Sequence, residues 1–259
     1  MAEQLEKETT NIDAELLMSS LKDDKIDQFR NEFMDLHPYD QAQFFSKLDK
    51  EYRKRIYHYL SPEDMAELFE NLELEEDEYE QLLSEMDPSY VATMLGHMYA
   101  DDAVDVLNEL DKEQVVSYLT IMDDEAAKEI KELLHYEEYT AGSIMTTEFI
   151  AIAANQTVRS AMAILKEEAP RAETIYYVYV IDEEKKLAGV ISLRDLIVSK
   201  DDTVIGEIMN DRVVCVSVGE DQEEVARMMK DYNFLALPVV DFQNHLFYHQ
   251  GLRLPIAKE

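Results

Sequence analysis

The chain has 259 residues, with 57 Asp and Glu against 24 Lys and Arg, a formal net charge of −33. A surface this negative repels nucleic-acid phosphates and anionic lipid, which excludes nucleic-acid binding and leaves small cations as natural partners. Solubility alone is the rival reason for such an excess.

The length fits one or two domains, and 46% hydrophobic residues suffice to bury cores. Six Gly and six Pro favour helix over turn-rich β structure. A lone cysteine, Cys215, rules out an internal disulfide and suits a reducing cytosol. The acidic start carries no basic-then-apolar leader, and no apolar run approaches the roughly 18 residues that cross a bilayer, so the chain reads as soluble and cytoplasmic.

In chain order, the first expected element is one longer helix near residues 12–36. A repeat follows. Leu36, Leu48, Leu60 and Leu72 stand twelve apart; after a slip of two, Met86, Met98, Leu110, Met122 and Leu134 keep the period. Each is followed by helix-start residues, as in Ser61-Pro62-Glu63-Asp64, Asp87-Pro88-Ser89 and Asp111-Lys112-Glu113. Ser and Asp cap free amides, Pro suits the first helical position, and acids suit the positive helix start. Ala42, Ala66, Ala92, Ala103 and Ala126 recur at near-equivalent places inside the helices. Twelve residues give about two turns and a corner, too little helix to stand alone, so the helices must stack. The expectation is a right-handed superhelix of short helices, with residues 1–135 as one acidic domain. Such a scaffold is a binding or spacing module.

Near residue 136 the pattern becomes a tandem. Ile144-Met145 recurs as Ile208-Met209, Phe149–Ile152 matches Val213–Val216, and Tyr177–Asp182 matches Leu235–Asp241. Each copy reads strand, helix, strand, turn, strand, helix. In Gly189-Val190-Ile191-Ser192-Leu193-Arg194-Asp195, glycine lets a strand approach closely and Ser192 caps the next helix, where amides and hydroxyl can meet a phosphate. Asp195 can accept ribose hydroxyls, although Ser-x-x-Asp is equally a plain helix start. This tandem resembles a pair of CBS domains, with copies over 136–202 and 203–246. The fold class expected is thus α plus α/β, a helical superhelix followed by a tandem CBS pair.

An acidic superhelix before a CBS pair resembles the cytosolic part of the MgtE magnesium channels. The likeness covers roughly residues 20–246, best at 98–110, 139–145, 189–196 and 221–240. It implies a homodimer through the CBS domains, at the cytoplasmic face of the membrane, attached to a membrane domain that forms a Mg²⁺ pore. Beyond Leu246 the pattern fails: residues 247–259 are basic, contain Pro255, and match neither the last CBS strand nor its acidic helix. The second copy is therefore expected to be incomplete, with an atypical tail.

Mg²⁺ prefers oxygen, keeps several waters and takes one or two carboxylates from a surface. Asp101 and Asp105 lie one turn apart on one helix face, and Asp221-Gln222-Glu223-Glu224 opens another helix. The resemblance places Mg²⁺ ligands at Asp101, Asp105, Asp221 and Glu223. A further acid of the family is Asn233 here, which weakens that ligand. It also implies ATP or another adenosine nucleotide in the CBS cleft, with Tyr177, Ser192, Arg194, Asp195 and Phe234 around it. No Gly-rich phosphate loop, metal-spaced histidine set or nucleophile with its base is present, so no enzyme is expected. The implied function is a Mg²⁺ sensor that closes the pore when the ion bridges superhelix and CBS domains. The alternative is a soluble adenosine-nucleotide sensor with a helical protein-binding arm, and a purely structural module comes third.

Overall fold

The computed structural model describes residues 14–72, 74, 76–172 and 174–246. Two compact units emerge, one within residues 1–98 and 102–128, the other within 99–101 and 129–259.

The first unit opens with α1 (residues 14–22) and α2 (Ile26–Met34). The single helix expected near 12–36 is thus two helices. Asp24 adopts a left-handed conformation (φ 60°), and the amides of Asp23 and Lys25 turn back to the Ser19 and Ser20 carbonyls. That backbone closes one helix and redirects the next. Residue 12 itself lies outside the described residues.

The twelve-residue period then appears as helix starts. Helices α3 (Pro38–Ser46), α4 (Lys50–Tyr59) and α5 (Pro62–Phe69) are followed, after the two-residue slip, by α6 (Glu76–Leu83) and α7 (Pro88–Leu95). Helices α8 (Ala100–Asn108), α9 (Lys112–Ile121) and α10 (Asp124–Leu133) keep the interval. The caps are those the sequence calls for. Ser61 Oγ accepts from the Asp64 amide while Asp64 accepts from the Ser61 amide, Asp87 accepts from the Ser89 amide, and Asp111 takes the Glu113 and Gln114 amides. Alternate helices stack: α5 packs on α3 and α7, and α7 on α9. Ala42, Ala66, Ala92 and Ala103 are buried where helices approach, beside Phe45, Met65, Leu68, Met94 and Leu95.

The Glu85 carboxylate is enclosed in this scaffold. The Glu85 side chain has no exposed surface, and Arg53 grips it through Nη2 at 2.6 Å and Nε at 3.1 Å. Tyr57 donates to the same carboxylate at 3.0 Å, and Arg53 Nη1 reaches the Leu48 carbonyl at 2.7 Å. The hydrogen bond to Glu85 holds the Arg53 guanidinium above its ordinary value, and burial, then Glu85, push the Tyr57 hydroxyl up.

The second unit holds the tandem. A short 3₁₀ turn (Ala141–Ser143) leads to β1 (Ala151–Ala153), α11 (Val158–Glu168), β2 (Tyr177–Ile181), β3 (Leu187–Ser192) and α12 (Leu193–Val198). The sheet order is β1-β2-β3, with β1 parallel and β3 antiparallel to β2. Val178, Val180 and Ile191 point into a core with Ile150, Ile152, Leu165 and Leu196. After α13 (Ile205–Ile208), β4 (Val216–Ser217) pairs in parallel with β5 (Val239–Val240) across α14 (Gln222–Tyr232). The repeat expected a strand over 213–216; regular pairing begins only at Val216, because Val213 and Val214 turn into a cleft described below.

Both copies make the same hairpin turn. Asp182 accepts from the Glu184 and Lys186 amides with Lys185 left-handed; Asp241 accepts from the Gln243 and His245 amides with Asn244 left-handed. Leu246 bridges back to Val240, as Leu187 pairs with Ile181. The second copy thus begins its return strand, and the expected tail over 247–259 lies outside the described residues.

Replacing Arg53 with Met leaves the buried Glu85 only the exposed Lys50 amine, 3.9 Å away, as a cation. The expected cost is about 3–5 kcal/mol, seen as a lower denaturant midpoint. Adding Glu85→Leu should restore most of it, since a buried pair is replaceable by apolar packing.

Candidate functional sites: an acidic helix face and a cleft between repeats

Helix α8 carries Asp101, Asp102 and Asp105, with Glu109 just beyond its end. Asp101 is buried (8% exposed), whereas Asp105 reaches the surface. Crowding by surrounding protein, then repulsion from Asp102 and Glu109, pushes the Asp105 carboxyl up to about 6. Tyr79 of α6 faces the same group: burial, then Asp105, Glu109 and Asp102, raise its hydroxyl. The carboxylates acting on Asp105 are therefore Asp102 and Glu109, neighbours that the sequence reading passed over. Their spacing from it, three back and four on, marks one stripe of a helix.

Asp221 and Glu223 sit exposed at the head of α14. Asp221 Oδ1 accepts from the Glu223 amide at 2.9 Å and the Glu224 amide at 3.4 Å, so one oxygen is committed to capping. The backbone here is anchored by Gln222 N to Tyr139 O and by the Thr140–Asp221 bridge. Asn233 ends α14 in a left-handed conformation (φ 54°), a position Asn tolerates better than most side chains. Among the described residues, no three His, Cys, Asp or Glu converge as a set that could hold an ion.

The second site is a cleft of about 150 Å³ within the tandem. Alternation along β2 builds one wall: Val178 and Val180 face the core, so Tyr177 and Tyr179 face the cleft, with Val190 from β3. The other wall comes from the second copy, including Asn210, Arg212, Phe234 and Pro238. Gly189 makes the approach possible, because a Cβ there would lie 2.6 Å from Met209 Sδ and 3.1 Å from the Asn210 carbonyl. Val190 and Asn210 exchange backbone hydrogen bonds at 3.0 and 2.9 Å across it.

Of the expected nucleotide residues, Tyr177 and Phe234 line this cleft; the Phe234 ring stacks on Tyr232 at 5.4 Å. Ser192 stands opposite Tyr177 in register and caps α12, accepting from the Asp195 amide at 3.1 Å and donating to Asp195 Oδ2 at 2.6 Å. Arg194 and Asp195 are exposed in the first turn of α12, beside the cleft rather than in its wall. The sequence reading missed Tyr179, Asn210 and Arg212. Tyr179 was within reach of strand alternation, and Arg212 of the repeated Ile-Met motif that it follows by three residues.

No helix among the described residues is long and apolar enough to cross a membrane. Residues 36–139 match the MgtE intracellular N domain, and 141–201 and 205–246 match the CBS domain. The magnesium transporter MgtE of Enterococcus faecalis is 55% identical over 231 residues, 89% of this chain and 51% of that protein. MgtE of Thermus thermophilus is 37% identical over 234 residues, again 89% and 51%. The chain thus spans about half the length of the curated relatives it matches. Among solved structures, the soluble part of a magnesium transporter superposes with a TM-score of 0.90 at 52% identity, covering 94% of this chain and 95% of that one. The cytosolic domain of the Mg²⁺ channel MgtE in complex with ATP gives 0.85 at 35% identity, covering 92% and 96%. The chain belongs to the MgtE magnesium transporter family, and matches its intracellular N domain together with its CBS domains.

Proposed function

We propose that this chain is the cytosolic Mg²⁺-sensing region of a magnesium transporter, closing a pore in a membrane domain of the same protein when Mg²⁺ is abundant. What supports the reading is the likeness to the cytosolic domain of the Mg²⁺ channel MgtE, together with the stripe of carboxylates on α8, where crowding, then Asp102 and Glu109, push Asp105 up to about 6. Carboxylates forced together near neutral pH are stabilised by a divalent cation, and their hard oxygens suit Mg²⁺. Two carboxylates about 4 Å apart near a surface repel by roughly 4 kcal/mol. Mg²⁺ held by Asp101 and Asp105 of α8 and by Asp221 and Glu223 of α14 would reverse that repulsion and favour a compact form. The chain would work as a dimer through its CBS domains; Ile197 and Val198, 63% and 75% exposed on α12, offer apolar surface for it.

The cleft supports a second ligand, ATP or another adenosine nucleotide, with Tyr177 and Phe234 against the base and Ser192, Arg194 and Asp195 near ribose and phosphate. If nucleotide binds and Mg²⁺ does nothing, the chain is instead an adenosine-nucleotide sensor with a helical arm.

Small-angle scattering separates these readings. Millimolar Mg²⁺ should lower the radius of gyration, and Asp105→Asn should blunt the change; an unchanged radius in the wild-type chain defeats the Mg²⁺ reading.

Asp105 also predicts a pH dependence without Mg²⁺. Its folded value of about 6 lies above the unfolded one, so the folded state binds more protons between them. The penalty on folding is full above about pH 6, fades as pH falls, and is gone below about pH 4, where both states are protonated. Asp105→Asn should therefore raise the melting temperature at pH 7 and flatten its pH dependence across that window.

A further inference from the structure

We propose that residues 139–142 form a releasable clasp on the head of α14, opening ahead of a twin that holds the other copy. The lead-in to each copy is bonded to the other copy, and the two sets of bonds correspond at an interval of 64 residues. In the first, Ala141 N donates to Glu220 O at 2.7 Å, Gly142 N to Val218 O at 2.8 Å and Gln222 N to Tyr139 O at 2.9 Å. In the second, Ile205 N donates to Gln156 O, Gly206 N to Ala154 O and Val158 N to Thr203 O, all at 2.9 Å. Thr140 bridges Asp221 as Val204 bridges Thr157. Each strap brings a glycine under the carbonyl it meets: a Cβ on Gly142 would lie 3.0 Å from Val218 O, and one on Gly206 3.2 Å from Ala154 O.

The twins differ in two ways, and both weaken the first. The second strap runs one bond further, from Arg159 N to Asp201 O at 3.0 Å, and the two side chains pair at 3.3 Å. At the equivalent places stand Glu223 and Glu137, two like charges where the twin has opposite ones. Glu223 N turns to Asp221 Oδ1 instead, and Glu137 O accepts from Thr140 Oγ1. The first strap also passes through Tyr139, whose φ of 64° is a left-handed conformation that costs a ring-bearing side chain free energy. Tyr139 is 68% exposed, so little packing offsets that cost. Its equivalent, Thr203, is not among the residues with positive φ. A segment held by a few backbone bonds and opposed by charge is one that opens locally. Release loosens the start of α14, where Asp221 and Glu223 stand, and lengthens the connection from Leu133 at the end of α10. The clasp thus governs how firmly those carboxylates are held, and it does so without a bound ion.

Residue-resolved hydrogen exchange of the full chain, without divalent ions, tests this. Protection at Ala141, Gly142 and Gln222 should be about tenfold lower than at Ile205, Gly206 and Val158. Glu137→Lys sets opposite charges at the first strap and should raise protection there about twofold. Tyr139→Gly accepts the left-handed conformation freely and should raise it about threefold. Neither should move the second strap, whereas Arg159→Glu should lower protection at the second strap alone, towards that of the first. Equal protection in the two straps overturns the proposal. So does a gain in either variant that both straps share, which marks a change in the whole fold, and so does a first strap that neither variant alters.

Discussion

The constraint on which the N-terminal unit depends is helix length. A twelve-residue period leaves helices of eight to ten residues, each too short to persist alone in water. Stability must come from stacking, and stacking fixes the rest. It demands small residues where axes approach, which Ala42, Ala66, Ala92 and Ala103 provide. It demands that the many exposed helix ends be capped, because each start leaves amides without partners. It also tolerates the enclosed ion pair of Arg53 with Glu85, whose carboxylate takes bonds from Arg53 and Tyr57 of α4.

Capping gives several of the acids a structural role and sets apart others that have none of that kind. Asp87, Asp111, Asp123 and Asp221 all accept backbone amides at helix starts, where the helix dipole also favours them. Asp105 and Glu109 differ. Asp105 lies in the second turn of α8 and Glu109 beyond its end, where the dipole is negative, and no basic residue stands in the last turn. There the backbone opposes Glu109, while crowding, then Asp102 and Glu109, push the Asp105 carboxyl up. Charge that neither a cap nor a cation of this helix offsets is the charge a divalent ion can use.

Much of this was legible from residues alone. The period gave the helix starts from Pro38 to Asp124, because capping and proline placement are local and repeat identically. The CBS tandem was legible for the same reason, since Asp182 and Asp241 build the same turn. The break between α1 and α2 was not, because Asp24 is an ordinary acid until its backbone adopts φ 60°. Asp102 and Glu109 were obscured by abundance: in a chain with 57 acids, a stripe of three stands out only when burial shows which side of the helix is crowded. Asn210 needed the fold, because its backbone pairing with Val190 is what brings it to the cleft.

The two repeats also show how one skeleton yields an asymmetric slot. Their hairpins coincide, and the core-facing positions stay apolar, with Val178 and Val180 matched by Leu237 and Val239. The alternating positions diverge: Tyr177 and Tyr179 in the first copy answer to Ala236 and Pro238 in the second. Core positions are tied by packing density on every side, so a change there costs the fold. Positions facing the cleft carry no such tie and are open to change. At these positions the first copy presents two hydroxyl-bearing rings and the second small apolar side chains, while Asn210, Arg212 and Phe234 complete the second copy's wall. A tandem with both walls alike would enclose a symmetric slot; this one is asymmetric.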